Sequence, residues 1–250
     1  RGTADEGLFQ SVKFQDAAGP LARSVEDLRL AMAALGSRVE GVAVENLRIG
    51  FYDDNRMFSA SAAIRRSIRE AANALDGMGC SVEECPPPDT QDALRLFYNF
   101  MTVAGGHFKA ALQGSTGDPR VMELLQLAAL PNFLRPLVAG LYGFRGQNHV
   151  AQVLRWTRRM TEGELAALEV EWDTFRSRML ARLGKLDAII CPTSPFPAIP
   201  PGASKDVDLA TFSYPAPFHI LAWPAGSVAV SRAQPAAESS TPHPRHTGAA

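Results

Sequence analysis

The sequence predicts an α/β protein in which a mixed β-sheet is flanked by many α-helices, and three observations carry that prediction. A strand-like stretch at residues 47–52 is followed at once by an amphipathic run and then by a second strand-like stretch at residues 80–84, the order of a βαβ unit feeding a sheet. Two further short apolar runs, residues 188–191 and 227–230, abut Pro or Gly, which is how buried strands are punctuated. From residue 89 to residue 185 the pattern is helical throughout, so helices outweigh strands and flank the sheet instead of alternating regularly with it.

Composition bounds the function classes. A chain of 250 residues with 46% hydrophobic and 20% charged residues has an ordinary globular composition, with room for one sizeable core rather than two. A net charge of -1 and a pI of about 6.6 give no electrostatic case for a nucleic-acid partner. Cys80, Cys85 and Cys191 are an odd set, which argues against a disulfide framework and for a reducing, cytoplasmic compartment. Cys80 and Cys85 lack zinc-ligand spacing and no His is near in sequence. They read as buried free thiols, and no metal or cofactor is expected. The first residue is Arg1, with no apolar signal-peptide core near it, so the chain is expected to begin inside a longer protein.

Taken in order, residues 1–18 read as a polar lead-in. Ser24-Val25-Glu26-Asp27 is close to a capping box, Leu28, Ala31, Met32 and Leu35 follow at helical spacing, and Gly36 closes the helix. The strand at 47–52 stops at Asp53-Asp54-Asn55. Ser59 or Ser61 then caps a helix with Ile64, Ile68, Ala71, Ala72 and Leu75 on one face and Arg65, Arg66, Arg69 and Glu70 on the wet face, ended by Gly77 and Gly79. The strand at 80–84 cannot run into Pro86-Pro87-Pro88, because proline donates no ladder hydrogen bond. Asp89 or Thr90 caps a helix through Ala93, Leu94, Phe97, Phe100 and Met101, expected to break at Gly105-Gly106, and Asp118-Pro119 starts another. Residues 147–184 form the longest helical pattern, from Val150 to Leu183. The first 231 residues read as one unit, and 232–250, rich in Ala, Pro, Ser and Thr without apolar period, as a disordered tail.

Residues 127–144 are apolar nearly all round, with Arg135 as their only charge and Pro131 and Pro136 breaking them. They fall short of the roughly 20 apolar residues that a spanning helix needs. Two readings stay open: a helical hairpin that closes a core or a homodimer contact, or a patch peripheral to a membrane in which Phe133, Leu134, Leu137, Leu141 and Tyr142 enter the headgroup boundary.

Two motif blocks carry a family resemblance. Gly19-Pro20-Leu21-Ala22-Arg23-Ser24-Val25-Glu26-Asp27-Leu28 comes first. Asp187, Pro192, Thr193 and Pro195 spell Asp-x-x-x-x-Pro-Thr-x-Pro, and Tyr214, Phe218, Pro224, Ala225 and Gly226 follow in an uncharged, aromatic-rich insert. The sequence resembles the C-terminal portion of the amidase signature family of serine amide hydrolases, over residues 19–230. The resemblance implies an amidase-signature-like but incomplete fold and hydrolysis of carbon-nitrogen bonds in a fatty acid amide or other small amide, without metal or organic cofactor. It also implies catalysis by a serine, a second serine on a cis peptide and a lysine base, with a Gly-Gly-Ser-Ser-Gly-like loop. A serine hydroxyl is a poor nucleophile without such a base. No loop of that kind occurs in this sequence: Gly105-Gly106 runs into His107, and Gly114-Ser115-Thr116-Gly117 has no strand before it. In the family these residues precede the Gly-Pro-Leu-Ala-Arg-Ser block, so no catalytic residue is assigned here and the chain alone is expected to be inactive.

For substrate binding the resemblance points to Tyr214, Phe218, His219 and Trp223, with Phe97 and Phe133 more remote, and to a small-molecule amide as partner. His219 stands where the family commonly has asparagine, which would make a hydrogen bond there pH-sensitive. The helical cap of the family's fatty-acid-amide members falls in the 127–144 region, which favours the membrane reading of Phe133, Leu134, Leu137 and Leu141. The alternatives are a non-catalytic binding or peripheral membrane module on the same scaffold, and one component of a tRNA-dependent amidotransferase.

Overall fold

The computed structural model describes residues 19–36, 42–111, 119–200 and 204–232. The lead-in at 1–18, the Gly114–Gly117 turn and all but the first residue of the expected tail lie outside these residues.

Helix α1 (Val25–Ala34) begins as expected, with the Ser24 hydroxyl accepting from Asp27 N at 3.1 Å. Gly36 leaves it at φ 83°, a left-handed conformation that glycine adopts without steric cost. Strand β1 (Arg48–Phe51) is followed by α2 (Ala62–Gly77), capped by Ser61, whose side chain accepts from Ile64 N. Strand β2 (Ser81–Glu84) then pairs parallel to β1, with Arg48 opposite Ser81. The helical block is α3 (Thr90–Ala111), α4 (Pro119–Ala128), α5 (Arg135–Phe144), α6 (Asn148–Trp156) and α7 (Glu162–Leu183). Strand β3 (Ala188–Ile190) pairs parallel to the other edge of β1, giving the order β2-β1-β3, and α8 (Ser204–Phe212) and α9 (Ala216–Leu221) follow. The βαβ expectation and the flanking helices are present, and both described strand pairings are parallel.

Asp187 of the Asp-x-x-x-x-Pro-Thr-x-Pro block fixes the β1–β3 register. Its amide donates to Arg48 O at 2.8 Å, its carboxylate accepts from Arg48 N at 2.8 Å, and the Arg48 guanidinium closes a fork on both carboxylate oxygens. The pairing holds Asp187 below the usual carboxylate range, as hydrogen bonds to the charged form do.

Three expectations are corrected. α3 does not break at Gly105-Gly106 but runs on to Ala111. Gly105 instead lets α4 approach, since a Cβ there would lie 3.4 Å from Leu125 and 3.6 Å from Ala128. The long 147–184 pattern is two helices, because Thr157 turns extended after α6 and Thr161 opens α7 with a complete capping box to Glu164. Residues 227–230 form no strand among the described residues, and Val228 and Val230 are exposed. A short apolar run becomes a strand only where a neighbour takes its backbone groups.

The main core joins three helices: Leu96, Phe97 and Phe100 of α3, Leu168, Phe175 and Met179 of α7, and Ile220 and Leu221 of α9. A smaller cluster, Ala139, Ala151 and Leu154, holds α5 to α6. No helix among the described residues is long and apolar enough to cross a membrane.

Candidate functional site

In a parallel sheet, binding sites gather beyond the carboxyl ends of the strands, and here those ends open into the loops after β1 and β3. The loop after β1 is built by its own side chains. Asp54 accepts from Arg56 N at 2.7 Å and Ala60 N at 3.1 Å, Asp53 pairs with Arg69 at 2.7 Å, and Arg56 sits left-handed at φ 63°. Ser61 N donates to Pro195 O at 2.8 Å, which ties this loop to the one after β3.

Asn55, buried, organises the centre. Its Oδ1 accepts from Met57 N and Phe58 N at 3.0 and 2.9 Å, and its Nδ2 donates to Ser213 Oγ at 2.7 Å. Tyr214 Oη donates to Phe58 O at 2.7 Å and accepts from Asn55 N at 3.4 Å, while Ser213 Oγ donates to Ala210 O at 2.6 Å. Three segments, the β1–α2 loop, the end of α8 and the entry to α9, are thereby joined by a buried and internally satisfied polar network.

Phe218, His219 and Trp223 lie on α9 and just past it, each half-buried. The His219 ring meets Phe97 edge to face at 5.6 Å, and Phe97 lies 4.4 Å from Phe212. Trp223 packs on the main core, and Ala222 at φ 53° turns the chain out of α9 so that Trp223 N reaches Phe218 O at 3.3 Å. These three expected lining residues and Phe97 thus come together. Tyr214 does not share that surface: it is 1% exposed, with its hydroxyl engaged by Phe58 O and Asn55 N. Phe133, Leu137 and Leu141 belong to a separate place, exposed on α5 and the turn before it, while Leu134 is half-buried.

The buried phenols and the thiol near the sheet ends are held neutral. Burial raises the Tyr52 and Tyr214 hydroxyls well above their ordinary range and pushes the Cys191 thiol up to about 11, because a low-dielectric site disfavours the charged form. A thiol so raised is a poor nucleophile at neutral pH. Among the described residues no group of three or more His, Cys, Asp or Glu side chains is arranged to hold a metal ion.

Two residues escaped sequence reasoning. Asn55 stood only as the polar stop after a strand, and the Asp-Asp-Asn run was its single signal. Arg135, the lone charge in an apolar stretch, is buried, and its guanidinium donates to Ala128 O, Leu130 O, Thr157 O and Thr157 Oγ1 at 2.7–3.2 Å.

The family model described as Amidase matches residues 4–248. Fatty-acid amide hydrolase 1 of Sus scrofa is 24% identical over 253 residues, covering 90% of this chain and 42% of that protein. A glutamyl-tRNA(Gln) amidotransferase subunit of Thermus thermophilus is 26% identical over 221 residues, covering 80% of this chain and 45% of that protein. A solved fatty acid amide hydrolase structure matches with a TM-score of 0.58 at 21% identity, over 82% of this chain and 34% of that one. A solved amidase matches with a TM-score of 0.55 at 20% identity, over 82% of this chain and 43% of that one. The chain therefore spans less than half the length of these relatives.

Proposed function

Because the chain belongs to the amidase family, we propose that it is the C-terminal part of a hydrolase that cleaves the carbon-nitrogen bond of a fatty acid amide or another small amide. The observation that carries this reading is the family match over residues 4–248, supported by the Gly19–Leu28 and Asp187–Gly226 blocks standing in the family's order. The role of this portion is to bind, not to attack. Phe218, His219 and Trp223, with Phe97 beside them, line the wall that receives the apolar part of the substrate, while the buried Tyr214 supports that wall. A half-buried aromatic wall suits an acyl chain or aryl group because it takes apolar area out of water.

On this reading no residue of this chain attacks the amide carbonyl or serves as the base, and the chain by itself is inactive. The support is chemical: the family's serine loop is missing from this sequence, and burial keeps the Cys191 thiol and the Tyr52 and Tyr214 hydroxyls protonated at neutral pH. An assay of ammonia or amine release by the whole enzyme, with Phe218→Ala and Trp223→Ala, tests the binding role. The expected result is a KM raised about tenfold for a long-chain fatty acid amide with a smaller change in kcat, the pattern of lost uniform binding. Unchanged KM in both variants would remove these residues from the site.

A second reading concerns partners. Phe133, Leu137, Leu141 and Phe144 are exposed on and beside α5, with Phe133 at 79% and Phe144 at 92%. Apolar side chains this open favour a contact with a membrane surface, and a homodimer contact is the competing use.

A further inference from the structure

We infer that Asn55, Ser213 and Tyr214 form a positioning clamp, through which the loop after β1 sets the placement of α9 and so the width of the substrate wall. The inference rests on the reading of Phe218, His219 and Trp223 as that wall. None of the three clamp residues faces the wall; each acts through another.

The loop and α9 are far apart in sequence, and Asn55 reaches Ser213 across 158 residues. α9 is six residues long and begins without a side-chain cap. A helix that short has no intrinsic stability in water. It is held at its far end by the core through Ile220 and Leu221, whose exposure is zero, and by Trp172 Nε1 donating to Ile220 O at 2.6 Å. Its near end is held by the clamp. Tyr214 immediately precedes Pro215, the residue at the start of α9, and its hydroxyl reaches back to Phe58 O; Ser213, one residue earlier, receives the Asn55 amide.

Asn55 in turn cannot move alone, since its Oδ1 accepts from both Met57 N and Phe58 N. Met57 and Phe58 pack with Leu94 of α3, Leu209 of α8 and Ala216 of α9, so a displacement of the loop is passed to α9 by apolar contact as well as by hydrogen bonds. A carboxamide is suited to this because it offers a donor on one side and a two-fold acceptor on the other. The isosteric carboxylate would keep the acceptors and lose the donor to Ser213.

The test uses the whole enzyme with Ser213→Ala, Tyr214→Phe and Asn55→Asp, and two readouts. Amide hydrogen exchange should quicken both in residues 55–60 and in residues 216–221, although Ser213→Ala touches neither segment's backbone directly. Kinetically, KM for a long-chain fatty acid amide should rise about fivefold, the scale of one net hydrogen bond, while KM for a short aryl amide changes less. A purely structural role would lower kcat for both substrates alike and leave their ratio fixed. Should Tyr214→Phe fail to fold, Ser213→Ala, which deletes only the hydroxyl that accepts from Asn55 and donates to Ala210 O, still decides the matter. Faster exchange confined to residues 55–60, with the substrate ratio unchanged while Phe218→Ala and Trp223→Ala do raise KM, overturns the clamp and leaves the wall standing. Unchanged KM in Phe218→Ala and Trp223→Ala overturns the wall, and the inference with it.

Discussion

Arg135 brings a guanidinium into the turn between α4 and α5, and its hydrogen bonds go to neutral oxygens on two stretches of chain, residues 128–130 and Thr157. Burial lowers its tendency to hold the proton, yet an arginine stays charged in proteins. The four acceptors would be left without donors if it were removed. Arg135→Met is expected to cost about 3 kcal/mol in urea unfolding, the scale of leaving buried acceptors unsatisfied. Arg135→Lys should recover little, because an ammonium lacks the planar fork; an unfolding midpoint equal to wild type in either variant would contradict the assignment. Gly50 makes the opposite kind of demand. A Cβ on it would overlap Leu186 Cδ1 and lie 2.9 Å from Cys85 Sγ, so Gly50→Ala should lower stability by about 1–3 kcal/mol, as overpacking does. Thermal melting checks it. Asp187 and Glu164 are both held below their ordinary range, Asp187 by the Arg48 side chain first and Glu164 by the Thr161 backbone amide first. A depressed folded-state value means that their stabilisation is fully present above their unfolded values, about 3.9 and 4.3, and is lost as pH falls through the folded values. The urea midpoint should therefore drop as pH falls below about 4, and the drop should be shallower in Asp187→Asn.

At the scale of elements, what could be read in advance was whatever local chemistry decides. Ser24 and Ser61 announced their helices, and Pro119 opened α4, because a cap or an N-terminal proline acts within one turn of chain. Interruptions were harder. Gly105-Gly106 suggested a break that a close neighbour, α4, turned into a packing site, and Thr161-x-x-Glu164 was overlooked inside an apolar repeat that runs on in phase across the linker. Residues 227–230 have a strand's composition, but composition does not supply a partner. The site followed the same rule: Phe218, His219 and Trp223 are neighbours in sequence and stay neighbours in space. Asn55 reaches Ser213 across 158 residues and could not be found without the fold. For α5 the exposed apolar row makes a further prediction. Vesicles of phosphatidylcholine should co-sediment the whole enzyme, and Leu137→Ser with Phe144→Ser should reduce the bound fraction severalfold, on the order of what two exposed apolar side chains contribute. A change in oligomeric state by light scattering, with vesicle binding untouched, would favour the homodimer contact instead.

At the scale of the whole molecule, the chain belongs to the amidase family and spans less than half of the relatives it matches. Leu21 is fully exposed beside α1, and Val228 is 70% exposed in the run that pairs with nothing described. Open apolar surface of this kind promotes association, so the 250-residue chain in isolation is expected to self-associate on light scattering. Amide hydrolysis by two polypeptides side by side decides whether this chain is the binding portion of a larger hydrolase: these 250 residues, and the complete product of the reading frame that contains them. The complete product should release amine or ammonia, a release abolished by a serine-directed phosphonate, and the 250 residues alone should release none. Turnover by the 250 residues alone, or silence from the complete product towards both a long-chain fatty acid amide and a short aryl amide, would overturn that assignment.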